Sequence, residues 1–166
     1  VAVEAAGMRF RDLDDLQAGR AVFQDYTNEV LIEHGFPAAL RYAPEQAAEI
    51  LVSIAREHRF TLYEYFITDK MGHAQDMEAA RVVIVNLARF VRHLLSRLNL
   101  KRTTVLVTSD HGNIEDLSTR NHTLNLVPTL IWGEHRDMIA ARVHNLADIT
   151  PAIVSVLTGE VGTVVS

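Results

Sequence analysis

The chain contains no cysteine. Disulfides and thiolate metal sites are therefore excluded, and any bound metal has to be held by histidine, aspartate or glutamate. Basic excess is missing as well: 16 lysines and arginines stand against 21 acidic residues, for a formal charge of −5 and a pI near 5.9. A general nucleic-acid binder would carry a basic stripe, so nucleic acid is not an expected partner. No apolar run approaches the roughly 18–20 residues of a membrane span, and the N-terminus does not read as a signal peptide. No membrane partner is expected, and a cytoplasmic address is the default. Charge runs, repeats and low-complexity segments are also lacking. The sequence starts on Val1 rather than methionine, which raises the expectation that it is trimmed or belongs to a longer polypeptide.

What is present is an ordinary globular composition, 48% hydrophobic and 22% charged over 166 residues. That length suits one domain, residues 1–166, with one sizeable core. Pro44 fits a first helical position, and Ala47, Ile50, Leu51 and Ile54 recur at the spacing of one buried helix face, so 44–58 reads as a helix. Phe60 to Ile67 reads as a strand from its aromatic and β-branched content. Asp76 offers an N-cap to a long helix with an apolar face of Met77, Ala80, Ile84, Leu87, Val91, Leu95 and Leu98. Thr103 to Thr108 is a β-branched strand that stops on Asp110, His111 and Gly112, and Val127 to Gly133 is a further strand. Thr150 and Pro151 open a closing helix with Gly159 just past its end. A short amphipathic helix is expected within Phe23–Ile32, and His34, His58 and His93 read as solvated surface residues. This order of elements predicts an α/β fold, a layered α/β/α domain with a mainly parallel sheet.

Five residues carry the candidate chemistry: Asp69, His73, Asp110, His111 and His122. Asp69 and Asp110 each follow a predicted strand, so both are expected at one edge of a parallel sheet, where open α/β sheets place ligands. Grouping carboxylates and imidazoles there is costly without a cation, and a divalent metal removes that cost. Asp and His donors without Cys suit Zn, Mn or Fe better than Ca or Mg. Two such ions about 3.5–4 Å apart would clamp a phosphoryl group. Taken from spacing alone, the alternative that these are turn residues and structural histidines stays open.

The wording of the motifs adds to this. Asp69-Lys70-Met71-Gly72-His73, Thr108 to Glu115 (TSDHGNIE) and Asn121 to Pro128 (NHTLNLVP) resemble, in order, three blocks of the alkaline-phosphatase-like metalloenzymes. Within that superfamily the likeness is nearest to the cofactor-independent phosphoglycerate mutases and phosphopentomutases. Leu146 to Pro151 looks like the start of the family's closing helix, so the likeness covers roughly 60–158. The resemblance implies Asp69, His73 and His122 as ligands of one metal, Asp110 and His111 as ligands of a second, and two divalent ions, Mn or Zn. It implies a phosphorylated small molecule as substrate and metal-dependent phosphoryl transfer or phosphoester hydrolysis as the reaction. The family's remaining aspartate and its Ser or Thr nucleophile lie in blocks that this sequence does not contain, so no catalytic residue is assigned and Thr108 and Ser109 do not take that place. The chain then reads as the C-terminal portion of such an enzyme, with an N-terminal half supplying the missing groups. The alternatives are a non-catalytic fragment that keeps the fold and part of the metal site, and a plain α/β interaction domain.

Overall fold

A computed structural model describes residues 2–159; residue 1 and residues 160–166 of the expected domain lie outside that range. The described residues group into two compact units, one running up to Met71 and including Asp76–Arg97, the other made of Gly72–Gln75 and the residues from Leu98 onward.

The first unit is helical. It holds α1 (Ala2–Ala5), α2 (Leu13–Gln17), α3 (Glu29–Glu33), α4 (Pro44–Arg56), the first part of α5 (Ile67–Ala74) and α6 (Met77–Arg97). Helix α4 starts where the sequence places it: Pro44 loses no bond at the first position, and Gln46 Oε1 accepts the Ala43 amide at 2.9 Å. Asp76 caps α6 as expected, its Oδ1 accepting the Ala79 amide at 3.0 Å. The apolar faces of α4 and α6 build the core, with Ala47, Ala48, Leu51, Phe90 and Tyr26 buried and Leu87, Val91 and Leu94 packed against them. Tyr26 lies between two rings, stacked on Phe90 at 4.5 Å and on Tyr65 at 4.9 Å. Each such pair adds about 0.5–1.5 kcal/mol beyond area burial. Met77 and Ile84, expected on the buried face of α6, are exposed. His93 is half-buried rather than solvated, with Nε2 2.8 Å from Glu49 Oε1, which also accepts Arg97 Nε at 2.5 Å.

Two expectations fail in this unit. Within Phe23–Ile32 only α3 is helical. Phe60 to Phe66 is not a strand: it alternates in burial as a strand would, Thr61, Tyr63 and Tyr65 inward and Leu62, Glu64 and Phe66 outward, but makes no ladder bonds. Its inward tyrosines find aromatic partners instead of a neighbouring strand.

The second unit contains the sheet. Strands β1 (Thr104–Thr108) and β2 (Thr129–Gly133) pair in register from Thr104–Gly133 to Thr108–Thr129. They are antiparallel, and they are the one sheet among the described residues. The structure is thus mixed α/β, without the mainly parallel arrangement expected from the sequence. A parallel pair needs a crossover, usually a helix, and residues 109–128 form none, so the chain returns against β1 in the opposite direction. Helix α7 (Arg136–Ala140), a 3₁₀ turn (Leu146–Asp148) and α8 (Ile149–Thr158) follow. The closing helix is entered earlier than Thr150, because Asn145 Oδ1 accepts the Ala147 amide and Asp148 accepts the amides of His144 and Asn145. Gly159 ends it at φ 73° as expected. No helix among the described residues is long and apolar enough to cross a membrane.

Candidate metal centre

Asp69 does not follow a strand. It lies with His73 on α5, four residues apart, so both side chains share one helix face. Helix α5 is continuous, although Ile67–Met71 belong to the first unit and Gly72–Ala74 to the second. The helix is held against the 110–125 loop through its C-terminal end. Gln75, at φ 58°, donates to the Leu117 carbonyl at 3.0 Å and accepts Arg120 Nε at 2.9 Å. Buried Gly72 sits where a side chain would collide with Asn113, its ideal Cβ falling 1.1 Å from Asn113 Oδ1.

His73 Nδ1 lies 2.5 Å from the Arg120 carbonyl oxygen. A carbonyl can only accept, so Nδ1 carries the proton and Nε2 keeps its lone pair. This is the carbonyl-oriented imidazole common to metal-ligating histidines. His122 Nε2 lies 3.2 Å from His73 Nε2. Asp69, His73 and His122 each offer one ligand atom, and these atoms lie within 4.8 Å of one another. Two imidazole nitrogens about 2.0–2.1 Å from a tetrahedral ion stand about 3.3 Å apart, so the two histidines have the spacing of ligands to one divalent ion, and imidazole with carboxylate is a chemically suitable donor set for one.

Asp110 and His111 emerge from the end of β1. The His111 ring stacks on His122 with centroids 3.6 Å apart, and its Nε2 is 3.6 Å from Asp110 Oδ1, whose side chain is 85% exposed. Among the described residues these two are not joined by a third donor into a metal-ligand group of their own. Ser109 Oγ donates to the His111 carbonyl at 2.8 Å, and Thr108 Oγ1 faces Thr129 Oγ1 at 3.2 Å, so both hydroxyls beside the ligands bond within the strand ends.

The loop between the histidines is braced by residues the sequence reading did not single out. Gly112 and Thr123 form an isolated antiparallel bridge, the Thr123 amide donating to the Gly112 carbonyl at 2.9 Å. Glu115 accepts the Asn113 amide at 2.6 Å on Oε2; on Oε1 it accepts the Thr123 hydroxyl and, at 3.0 Å, Asn125 Nδ2. These bonds, Thr123 first, outweigh desolvation and lower the Glu115 carboxyl to about 2. Glu115, Thr123 and Asn125 all lie inside the motif blocks, which was the available signal. Gln75 and Arg120 lie outside them, and nothing local marks their pairing.

Two imidazoles and a carboxylate brought together by a helix and a braced loop could hold a divalent metal. A family model described as the Metalloenzyme superfamily matches residues 33–160, and the chain belongs to that superfamily. Among its relatives are proteins named 2,3-bisphosphoglycerate-independent phosphoglycerate mutase. That of Gloeothece citriformis is 31% identical over 147 aligned residues, covering 76% of this chain and 28% of the relative. That of Rippkaea orientalis is 30% identical at the same coverage, and that of Parasynechococcus marenigrum is 33% identical over 110 aligned residues, covering 58% and 20%. The chain thus spans about a quarter of the length of the curated relatives it matches. No solved structure matches it at a significant level.

Proposed function

We propose that this chain is the metal-holding portion of a phosphomutase-like enzyme of alkaline-phosphatase-like architecture, acting on a phosphorylated small molecule. Asp69, His73 and His122 hold one divalent ion, Mn or Zn. Asp110 and His111 contribute to a second, whose remaining donors come with an N-terminal half. The observation that carries this reading is the pair of imidazole nitrogens 3.2 Å apart, one of them with its far side anchored on the Arg120 carbonyl. A bound divalent ion would supply charge stabilisation for a transferring phosphoryl group. Within the chain, His73 and His122 orient toward the ion, the Arg120 carbonyl holds the His73 tautomer, and Asp69 adds the negative charge that two neutral imidazoles lack. The mutase names of the relatives support isomerisation of a phosphorylated hydroxy acid as the reaction of the assembled enzyme.

One observation favours a narrower role for the chain by itself. Ser109 and Thr108, the hydroxyls just before Asp110, are engaged in bonds within the strand ends, and the Thr123 hydroxyl beside His122 donates to Glu115. The chain alone therefore binds metal without turnover, and chemistry begins when a partner supplies the hydroxyl and the missing aspartate. Metal analysis after chelator-free purification, with Asp69→Asn, His122→Ala and Asp110→Ala, tests the site. Loss of the tightest ion in the first two variants is expected, and unchanged metal content in both would end the assignment. Hydrolysis of an aryl phosphate should appear only when the N-terminal half is added; sustained metal-dependent turnover by the chain alone would refute the narrower role.

A further inference from the structure

The braced loop has two arms: the turn after β1, which carries His111, and the returning segment, which carries His122. Glu115 bonds to both. Its Oε2 takes the Asn113 amide on the first arm, while its Oε1 takes the Thr123 hydroxyl and the Asn125 amide nitrogen on the second. Gly112 makes this possible by leaving space: a Cβ there would fall 2.2 Å from Thr123 Oγ1 and 2.6 Å from Glu115 Oε1. The residues tied to the carboxylate flank the two stacked imidazoles, whose centroids are 3.6 Å apart.

We propose that Glu115 is a positioning residue of the metal centre, its carboxylate bridging the two loop arms so that His122 stacks on His111 and aims Nε2 at His73. This rests on the metal reading above. An ionised carboxylate is the only side-chain group of this size that accepts on two oxygens and donates from neither. Glutamine fills the same space but keeps a single acceptor, so one arm would meet an N–H where it needs an oxygen. Glu115→Gln therefore removes the bridge with little change in volume.

The test compares wild type, Glu115→Gln and Thr123→Val, with Asp116→Asn as a control in the same loop, since the Asp116 carboxylate accepts from its near neighbour Ser118. Zinc affinity is measured by calorimetric titration, and the metal-free imidazole resonances are followed by NMR. Glu115→Gln should weaken zinc binding by about 10–100-fold, the usual effect of losing an outer-shell partner. It should also abolish the ring-current displacement of the His111 and His122 signals while the β1 and β2 amide signals stay in place. Asp116→Asn should bind as wild type. Wild-type zinc affinity in Glu115→Gln overturns the proposal. Should Glu115→Gln fail to fold, Thr123→Val, which removes one donor and leaves the carboxylate, decides in the same way: weaker zinc sustains the proposal and unchanged zinc overturns it. Should wild type itself take no zinc, the metal reading falls, and the NMR comparison alone judges Glu115, retained stacked signals in Glu115→Gln overturning its role.

Discussion

Replacing Gly72 by alanine sets two effects of opposite sign against each other. In an exposed helix interior this change would stabilise by about 0.8–1.0 kcal/mol, because alanine loses less backbone freedom. In α5 the new methyl would fall 1.1 Å from Asn113 Oδ1, 2.3 Å from its Cγ and 3.1 Å from the Ile114 nitrogen. Asn113 is itself buried at 5% exposure, and its amide oxygen and nitrogen have no hydrogen-bond partner among the described residues. It therefore has little open space to swing into, and α5 or the loop has to give way. Forced displacement of this kind costs about 1–3 kcal/mol, so the collision wins. Gly72→Ala should lower stability by up to about 2 kcal/mol net, read as a lower urea midpoint at unchanged slope. A melting temperature lower by about 2–4 °C per kcal/mol should accompany it. His73 is the next residue, so zinc affinity should fall with it. Asn113→Ala removes the two colliding side-chain atoms, and the double variant should recover most of the loss, giving a coupling energy of about 1–2 kcal/mol. A Gly72→Ala variant as stable as wild type, or single losses that simply add, would show that α5 does not pack on Asn113 in this way.

Phe90→Ala opens the helical core at the ring on which Tyr26 stacks. It should cost about 3–5 kcal/mol by denaturant unfolding, and a cost near that of a surface substitution would count against the α4–α6 core. Asp15 is 2% exposed and receives Arg9 at 2.6 and 3.0 Å and Arg20 Nε at 3.0 Å. Those bonds, the Arg9 pair first, hold its carboxyl well below the usual value of 3.8. Stability from a depressed carboxylate is present above the unfolded pKa and is lost as pH falls toward the folded one. Unfolding midpoints should therefore drop below about pH 4 in wild type and vary less steeply in Asp15→Asn; parallel profiles would refute it.

Legibility differed with the range of the interaction. Helices α4 and α6 were visible because a single buried face repeats along each, although Phe90, the ring at the centre of the core, was missed for Ile84 and Met77, which are exposed. The β-branched runs of β1 and β2 were legible as strands, but their mutual direction was not, since it depends on what the connection does rather than on the strands. Residues 60–66 carry a true alternation of burial without a neighbour to bond, so their pattern suggested a strand where no ladder exists. The donor residues were legible as motif blocks, and the four-residue spacing of Asp69 and His73 was itself a helix signal, masked by the strand expected over Phe60 to Ile67 just before them. The braces at Gln75, Arg120 and Glu115 depend on partners distant in sequence or on loop closure, and no local pattern announces them.

The hairpin-like pair of strands leaves a consequence for handling the chain. Among the described residues no third strand pairs with β1 or β2, and neither TVLVT nor TLIWG carries a charge to repel a newcomer. Each strand edge left without a strand partner is a template for an extended backbone, including that of another copy, wherever nothing else covers it, and crowding of the purified material favours such lateral stacking.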